Sequence, residues 1–300
     1  MKNMLLAALL LLTPLVARAD LNIFACEPEW AALAQELGGK LVKANSATNA
    51  LQDPHYIQAR PSLISKVRNT DLIICSGAQL ELGWLPMLLR KANNAAVMPG
   101  TPGYLEASQY VKRLDVQANF DRSQGDVHPQ GNPHIQTNPH NIQQVAVALT
   151  ERMKQLDTDN AATYTGHLQN FSQRWSNAIT DWEKRALPLR GKKVITHHGS
   201  WVYLEDWLGL EEVATLEPVS GVPPTASHLS KLLSRFNGNH TASFIIRAPY
   251  QSDKASLWLS ERSGIPAIML PLTVGGTDQA NDLFSMFDDI LNRLLDAGGR

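Results

Sequence analysis

The apolar positions of residues 160–186, NAATYTGHLQNFSQRWSNAITDWEKRA, fall at Tyr164, Leu168, Phe171, Trp175, Ala178 and Ile179, Trp182 and Ala186. Steps of four, three and four residues keep them on one face of a single helix. At about 1.5 Å per residue this segment makes a rod of roughly 40 Å, the span of a small domain. Asp157, Thr158, Asp159 and Asn160 supply capping side chains before it, and Pro188 follows its end. Its place near the middle of the chain predicts a strut between two halves. The same pattern also describes an ordinary long core helix.

On either side the pattern alternates between short apolar runs and helical periodicity. Strands are predicted at 21–26, 41–46, 71–75 and 110–114, with helices at 27–37, 61–69, 82–91 and 141–156 between and after them. Beyond the long helix, strands at 193–196, 243–247 and 267–270 alternate with helices at 201–208, 225–236 and 252–263. A terminal helix follows over 279–297. This alternation predicts an α/β fold: two lobes, each a mostly parallel sheet flanked by helices, joined by one long helix. The expected divisions are a leader at 1–19, an N-terminal lobe at 20–156, the linking helix at 157–187 and a C-terminal lobe at 188–300.

The leader changes the picture of where the chain works. Met1-Lys2 precedes an apolar run from Met4 to Val16, and Ala17-Arg18-Ala19 follows. A positive start, an apolar core and a small-x-small end predict an export signal cleaved after Ala19. The run is too short to anchor in a bilayer, and no Cys stands at the cleavage point, so the expectation is a soluble periplasmic protein. In an oxidising compartment Cys26 and Cys75, at the ends of the first and third strands, predict a disulfide. Two buried thiols are the alternative. The net charge of −1, from 27 basic and 28 acidic residues, gives no support to nucleic-acid binding.

Candidate chemistry rests on the nine histidines. His55 stands in a polar loop behind Asp53-Pro54. His134 lies in Gly131-Asn132-Pro133-His134. His197 and His198 directly follow the strand at 193–196. Three separate segments thus bring imidazoles toward the carboxyl ends of strands, where open α/β folds bind ligands. His128 and His140, beside prolines, read as turn residues or auxiliary sites, and His167, His228 and His240 as surface or capping residues. No HExxH, GxSxG or Walker-type loop is present.

Four segments resemble a known family, the zinc/manganese solute-binding proteins of ABC importers (TroA-like, cluster A-I). They are DPHYIQARPSLI (53–64), GNPHIQTNPHNI (131–142), VITHHGSWVYLEDWLGL (194–210) and PVSGVPPTASHLSKLL (218–233). They occur in the family's order, with the long helix in the place of its linking helix. The resemblance implies a receptor, not an enzyme, that captures Zn²⁺ and delivers it to a membrane ABC permease as a monomer, with Mn²⁺ as the other metal of the family. Its ligands carry over onto His55, His134 and His198. The family's last carboxylate has no direct counterpart, and Asp278 is the nearest candidate, with Asp282, Glu205, Glu217 or a water as alternatives. Asp278 and Asp282 also suit the cap of the terminal helix. Three His and one carboxylate match tetrahedral zinc at roughly 2.0–2.2 Å, whereas more oxygen ligands would favour manganese. Because imidazole must be deprotonated to bind, affinity is expected to fall below about pH 6.5. A secreted zinc hydrolase with a three-His site is the alternative reading.

Overall fold

Residues 20–117, 125–238 and 241–298 are described by the computed structural model. The export signal expected at 1–19 lies outside these residues, as does His240. In the N-terminal lobe, β1 (Leu21–Ala25), β2 (Val42–Ser46), β3 (Leu72–Cys75) and β4 (Tyr104–Glu106) form a parallel sheet in the order β2-β1-β3-β4. Helices α1 (Pro28–Gly38), α2 (Pro61–Arg68) and α3 (Leu85–Ala92) connect them, and α4 (Pro139–Leu156) follows. Every residue of β3 is buried, as expected of a central parallel strand covered on both faces. α1 shows how the sequence seats a helix on this sheet. Pro28 opens it, and Trp30, Leu33, Ala34 and Leu37 turn one buried face to the core.

The C-terminal lobe repeats this strand order. β5 (Lys193–Thr196), β6 (Glu211–Thr215), β7 (Phe244–Arg247) and β8 (Ala267–Met269) make a parallel sheet in the order β6-β5-β7-β8. α6 (Val202–Leu208), α7 (Ala226–Phe236), α8 (Lys254–Ser263) and α9 (Leu283–Gly298) accompany it.

Between the lobes runs α5 (Ala161–Ala186), a continuous helix of 26 residues. Tyr164, Phe171, Trp175, Ile179, Trp182 and Ala186 are buried along one face, while Leu168 and Ala178 are partly buried against the same core. The helix packs on α1, α4 and α9. Trp175 stacks on Phe171 and meets Phe284 and Phe287 of α9 edge-on, and Trp182 donates its indole N–H to Asp288. Arg174 pairs with Glu36 of α1. One buried apolar cluster extends from Leu21 through these residues to Leu294, so the two sheets share a core along the helix.

Two elements differ from expectation. The fourth strand lies at 104–106, not 110–114. Residues 107–110 form a short 3₁₀ turn, and Tyr110, Val111 and Leu114 then pack against the core without a strand partner. Tyr110, Val111 and Leu114 around Lys112 and Arg113 mark partial burial, which an irregular segment satisfies as well as a strand does. β6 was not expected at all. Its sequence EEVAT carries two exposed Glu at a sheet edge, where parallel pairing to β5 supplies a regularity that the side chains do not advertise. The disulfide expectation holds: β1 and β3 are neighbours, and Cys26 and Cys75, just past and at their ends, are joined with Cα atoms 4.8 Å apart.

Candidate metal centre

The carboxyl ends of both sheets meet at the seam between the lobes, and there the loops deliver imidazoles. His55 comes from the loop after β2. His134 precedes the short turn that leads into α4. His198 sits two residues past β5. One ring nitrogen from each of these three lies within 4.8 Å of the others. His134 is 1% exposed and the side chains of His55 and His198 each 8%. Among the described residues no other set of His and carboxylates gathers this closely, apart from a group that includes the two bridged cysteines.

Two of the rings are held by carboxylates. His55 Nδ1 is 2.7 Å from Asp53 Oδ1, and His198 Nδ1 is 2.7 Å from Glu217 Oε2. Burial raises the Asp53 pKa, but the hydrogen bond and charge of His55 outweigh it and hold the carboxyl below its ordinary value. An ionised carboxylate only accepts, so in both pairs Nδ1 carries the proton and Nε2 presents its lone pair. The third ring has neither nitrogen bonded: both Nδ1 and Nε2 of His134 are buried and without a protein partner. Burial, with the charges of His55, His198 and His128 behind it, pushes its pKa well below the ordinary 6.5 and keeps it neutral. A buried, neutral ring whose nitrogens nothing else satisfies, beside two rings oriented by carboxylates, suits a borderline cation.

The backbone that places His134 is itself pinned across the seam. Asn132 Oδ1 accepts the His134 N–H at 3.1 Å, and Asn132 Nδ2 donates to the Gly199 carbonyl at 2.6 Å. The Tyr203 hydroxyl of α6 donates to the Asn132 carbonyl at 2.9 Å and accepts the Leu114 N–H at 3.0 Å. Asn138 then caps α4, with Pro139 in its first turn. Asn132 and Tyr203 were not foreseen as part of the site.

Other expected residues fall elsewhere. Asp278 is exposed in the turn before α9 and is not brought to the imidazoles. Asp282 caps that helix, its Oδ1 accepting the Ser285 N–H at 2.7 Å while Ser285 Oγ accepts the Asp282 N–H at 2.9 Å. Glu217 positions His198, and Glu205 is buried in α6. His197 is 5% exposed, 3.9 Å from the other Glu217 oxygen. A cavity of about 660 Å³ opens beside His55 and His198, bounded by Tyr56, Asp126, Tyr250 and Trp258.

Two parallel-sheet lobes on one long helix, with an imidazole pocket at their seam, define a two-lobed binding protein for a small cation. The chain belongs to the family described as zinc-uptake complex component A, periplasmic, whose model matches residues 23–297, and so to the metal-binding receptors of ABC transporters. It is 22% identical over 244 residues to the manganese ABC transporter substrate-binding lipoprotein PsaA of Streptococcus pneumoniae, covering 78% of this chain and 74% of that one. To the high-affinity zinc uptake system protein ZnuA of Yersinia pestis it is 21% identical over 191 residues, 60% of each. Among solved structures, that of ZnuA superposes with a TM-score of 0.78 at 20% identity, over 93% of this chain and 100% of the other. A manganese-bound periplasmic metal-binding protein from Candidatus Liberibacter asiaticus gives 0.72 at 18%, over 92% and 98%. No described helix is long and apolar enough to cross a membrane.

Proposed function

We propose that this protein is a periplasmic zinc receptor that captures Zn²⁺ through His55, His134 and His198 and delivers it to the permease of an ABC importer. The observation that carries the reading is the convergence of three buried imidazoles, two of them fixed by carboxylates and the third without any other partner. A nitrogen-rich, neutral ligand set favours zinc, whereas manganese favours oxygen ligands. The exposed position of Asp278 weighs further against an oxygen-rich site. Export follows from the leader at 1–19, with cleavage after Ala19, and the protein acts as a monomer. Asp53 and Glu217 are engaged in orienting imidazoles and Asp126 accepts the Tyr56 hydroxyl, which leaves none of the three free as the general base that the hydrolase reading needs.

Calorimetric titration with Zn²⁺ and competition with Mn²⁺ test the reading. One tight zinc site per chain, weakened about tenfold or more by His198→Ala, is the expected result. Tighter retention of manganese than of zinc, or no tight site, would overturn it. Turnover of ester or peptide substrates by the zinc-loaded protein would favour the hydrolase.

A further inference from the structure

Beside the three gathered imidazoles stands a fourth, that of His128. His128 Nε2 lies 3.2 Å from His55 Nε2, and the two rings are 5.3 Å apart between centroids. The His55 ring is also 5.6 Å from that of His134 and 5.8 Å from that of His198. Four imidazoles bound to one zinc at 2.0–2.1 Å would have nitrogens about 3.4 Å apart and centroids about 5 Å apart. His128 therefore stands at one tetrahedral edge from His55 but outside the group of His55, His134 and His198, so its ring must close on His134 and His198 as an ion binds. It also faces the same space as the others: His128, His134 and His198 together line a cavity of about 140 Å³. Its Nδ1 is buried, and the Ala78 backbone lies within the ring's reach.

The segment that carries His128 is built in. Gly125 pairs as an isolated parallel bridge with Ser220 of the opposite lobe. Asp126 N–H donates to the Ser220 carbonyl at 3.0 Å, and Ser220 Oγ donates back to the Asp126 carbonyl at 3.2 Å. The Tyr56 hydroxyl donates to Asp126 Oδ2 at 2.7 Å, so one short strap is tied to both sides of the seam. Glycine is required where the strands of this strap cross. A Cβ on Gly125 would collide with the Ser220 carbonyl oxygen, and one on Gly221 with the Asp126 carboxylate. Ser220 and Gly221 belong to the same turn as Glu217, which accepts the Gly221 N–H at 2.7 Å and orients His198. The strap thus couples the placement of His128 to that of His198.

We propose that His128 is the fourth metal ligand, completing a four-imidazole site with His55, His134 and His198 in the role expected of Asp278. This deepens the receptor reading and rests on it. Without an ion, the two Nε2 atoms stand at hydrogen-bond distance. Binding both to one ion requires a lone pair on each Nε2, so each ring binds as its Nδ1–H tautomer. A set of four neutral imidazoles leaves both charges of the ion uncompensated within its ligands, and the nearby Asp53, Glu217 and Asp126 carboxylates balance them from outside.

X-ray absorption at the zinc edge of the loaded protein, joined to the visible spectrum of its Co²⁺ form, tests this. Four imidazole nitrogens are expected, and His128→Ala should replace one with oxygen, alter the Co²⁺ spectrum and weaken zinc about tenfold or more. Asp278→Ala should change neither. Three imidazoles and an oxygen in the unaltered protein would overturn the inference while the receptor reading stands, as would a His128→Ala variant with unchanged affinity and spectrum. The absorption measurement on the unaltered protein decides the matter even if the variant misfolds. Absence of any tight zinc site in that protein would overturn the receptor reading and this inference with it.

Discussion

Glu217 Oε2 accepts the Nδ1 proton of His198 at 2.7 Å, and the same oxygen accepts the Gly221 N–H at 2.7 Å. One carboxylate thus holds both the His198 ring and the turn that leads to the strap. Replacing it with the neutral isostere, Glu217→Gln, should weaken zinc by about 10–100-fold, the usual cost of losing an outer partner of a ligating histidine. Calorimetry on the variant checks this, with a circular dichroism spectrum matching the unaltered protein as the control for folding.

Acid should release the metal earlier than an ordinary histidine would require. Burial lowers the His198 pKa, but the hydrogen bond and charge of Glu217 outweigh it and hold the ring above its ordinary 6.5. Metal and proton compete for the ring, so affinity is lost as pH falls through this raised value, while His134, with its pKa well below the ordinary one, stays ready to bind. Zinc titrations between about pH 8 and pH 6 should show affinity already falling above 6.5. In Glu217→Gln the onset should move to lower pH. A profile flat to below pH 6 would contradict the assignment.

Buried acids should make the fold itself more stable on mild acidification. Burial, with the charges of Glu212 and Asp115 adding to it, raises Glu205 to about 8. Burial likewise raises Glu29 and Glu81 to about 7 against their hydrogen bonds, and Glu27 is raised as well. Each binds a proton more tightly folded than unfolded. Its contribution is therefore fully present below the unfolded value near 4.5 and is lost as pH rises through about 7 to 8. Glu205→Gln should stabilise the metal-free protein at pH 8 by a few kcal/mol and leave it little changed near pH 4.5, on the order of one pKa unit per 1.4 kcal/mol. Urea unfolding at the two pH values measures the difference.

The Cys26–Cys75 bridge closes a loop of sequence separation 49. Chain entropy assigns such a loop about 4 kcal/mol. The double substitution of both cysteines by alanine should lower the urea midpoint accordingly, yet leave zinc stoichiometry at one, because the cysteines are not among the gathered imidazoles.

The helix α5 predicts a small response to metal. Its buried face packs continuously on α1, α4 and α9, so a hinge has no gap in which to bend. Small-angle scattering from metal-free and zinc-loaded protein should superimpose, with changes confined to local probes of residues 125–128 and 217–221. A large contraction on loading would refute this stiffness.

Much of this was legible in the chain, for identifiable reasons. The apolar period from Tyr164 to Ala186 is long enough that only one helix fits it. His55, His134 and His198 each stand in a segment whose neighbours, a proline or a strand end, mark their place. His128 has no such frame: a single imidazole beside a proline reads as a turn, and its closeness to His55 arises from a pairing of Gly125 with Ser220, 95 positions apart. Asp278 could not be placed from the chain alone, because a carboxylate before a helix looks the same whether it caps, binds or faces solvent. Glu27, Glu29 and Glu81 look like ordinary acidic residues near helix starts, and only the packed structure reveals them as buried.

The shared core along α5 has a consequence for how the molecule fails. Topology divides the chain into two copies of one strand order, but the buried cluster from Leu21 to Leu294 is undivided. Heat or denaturant should find no half to melt first. A chain clipped or misfolded in either half is then expected to lose the whole imidazole site, so an assembled site reports an intact molecule.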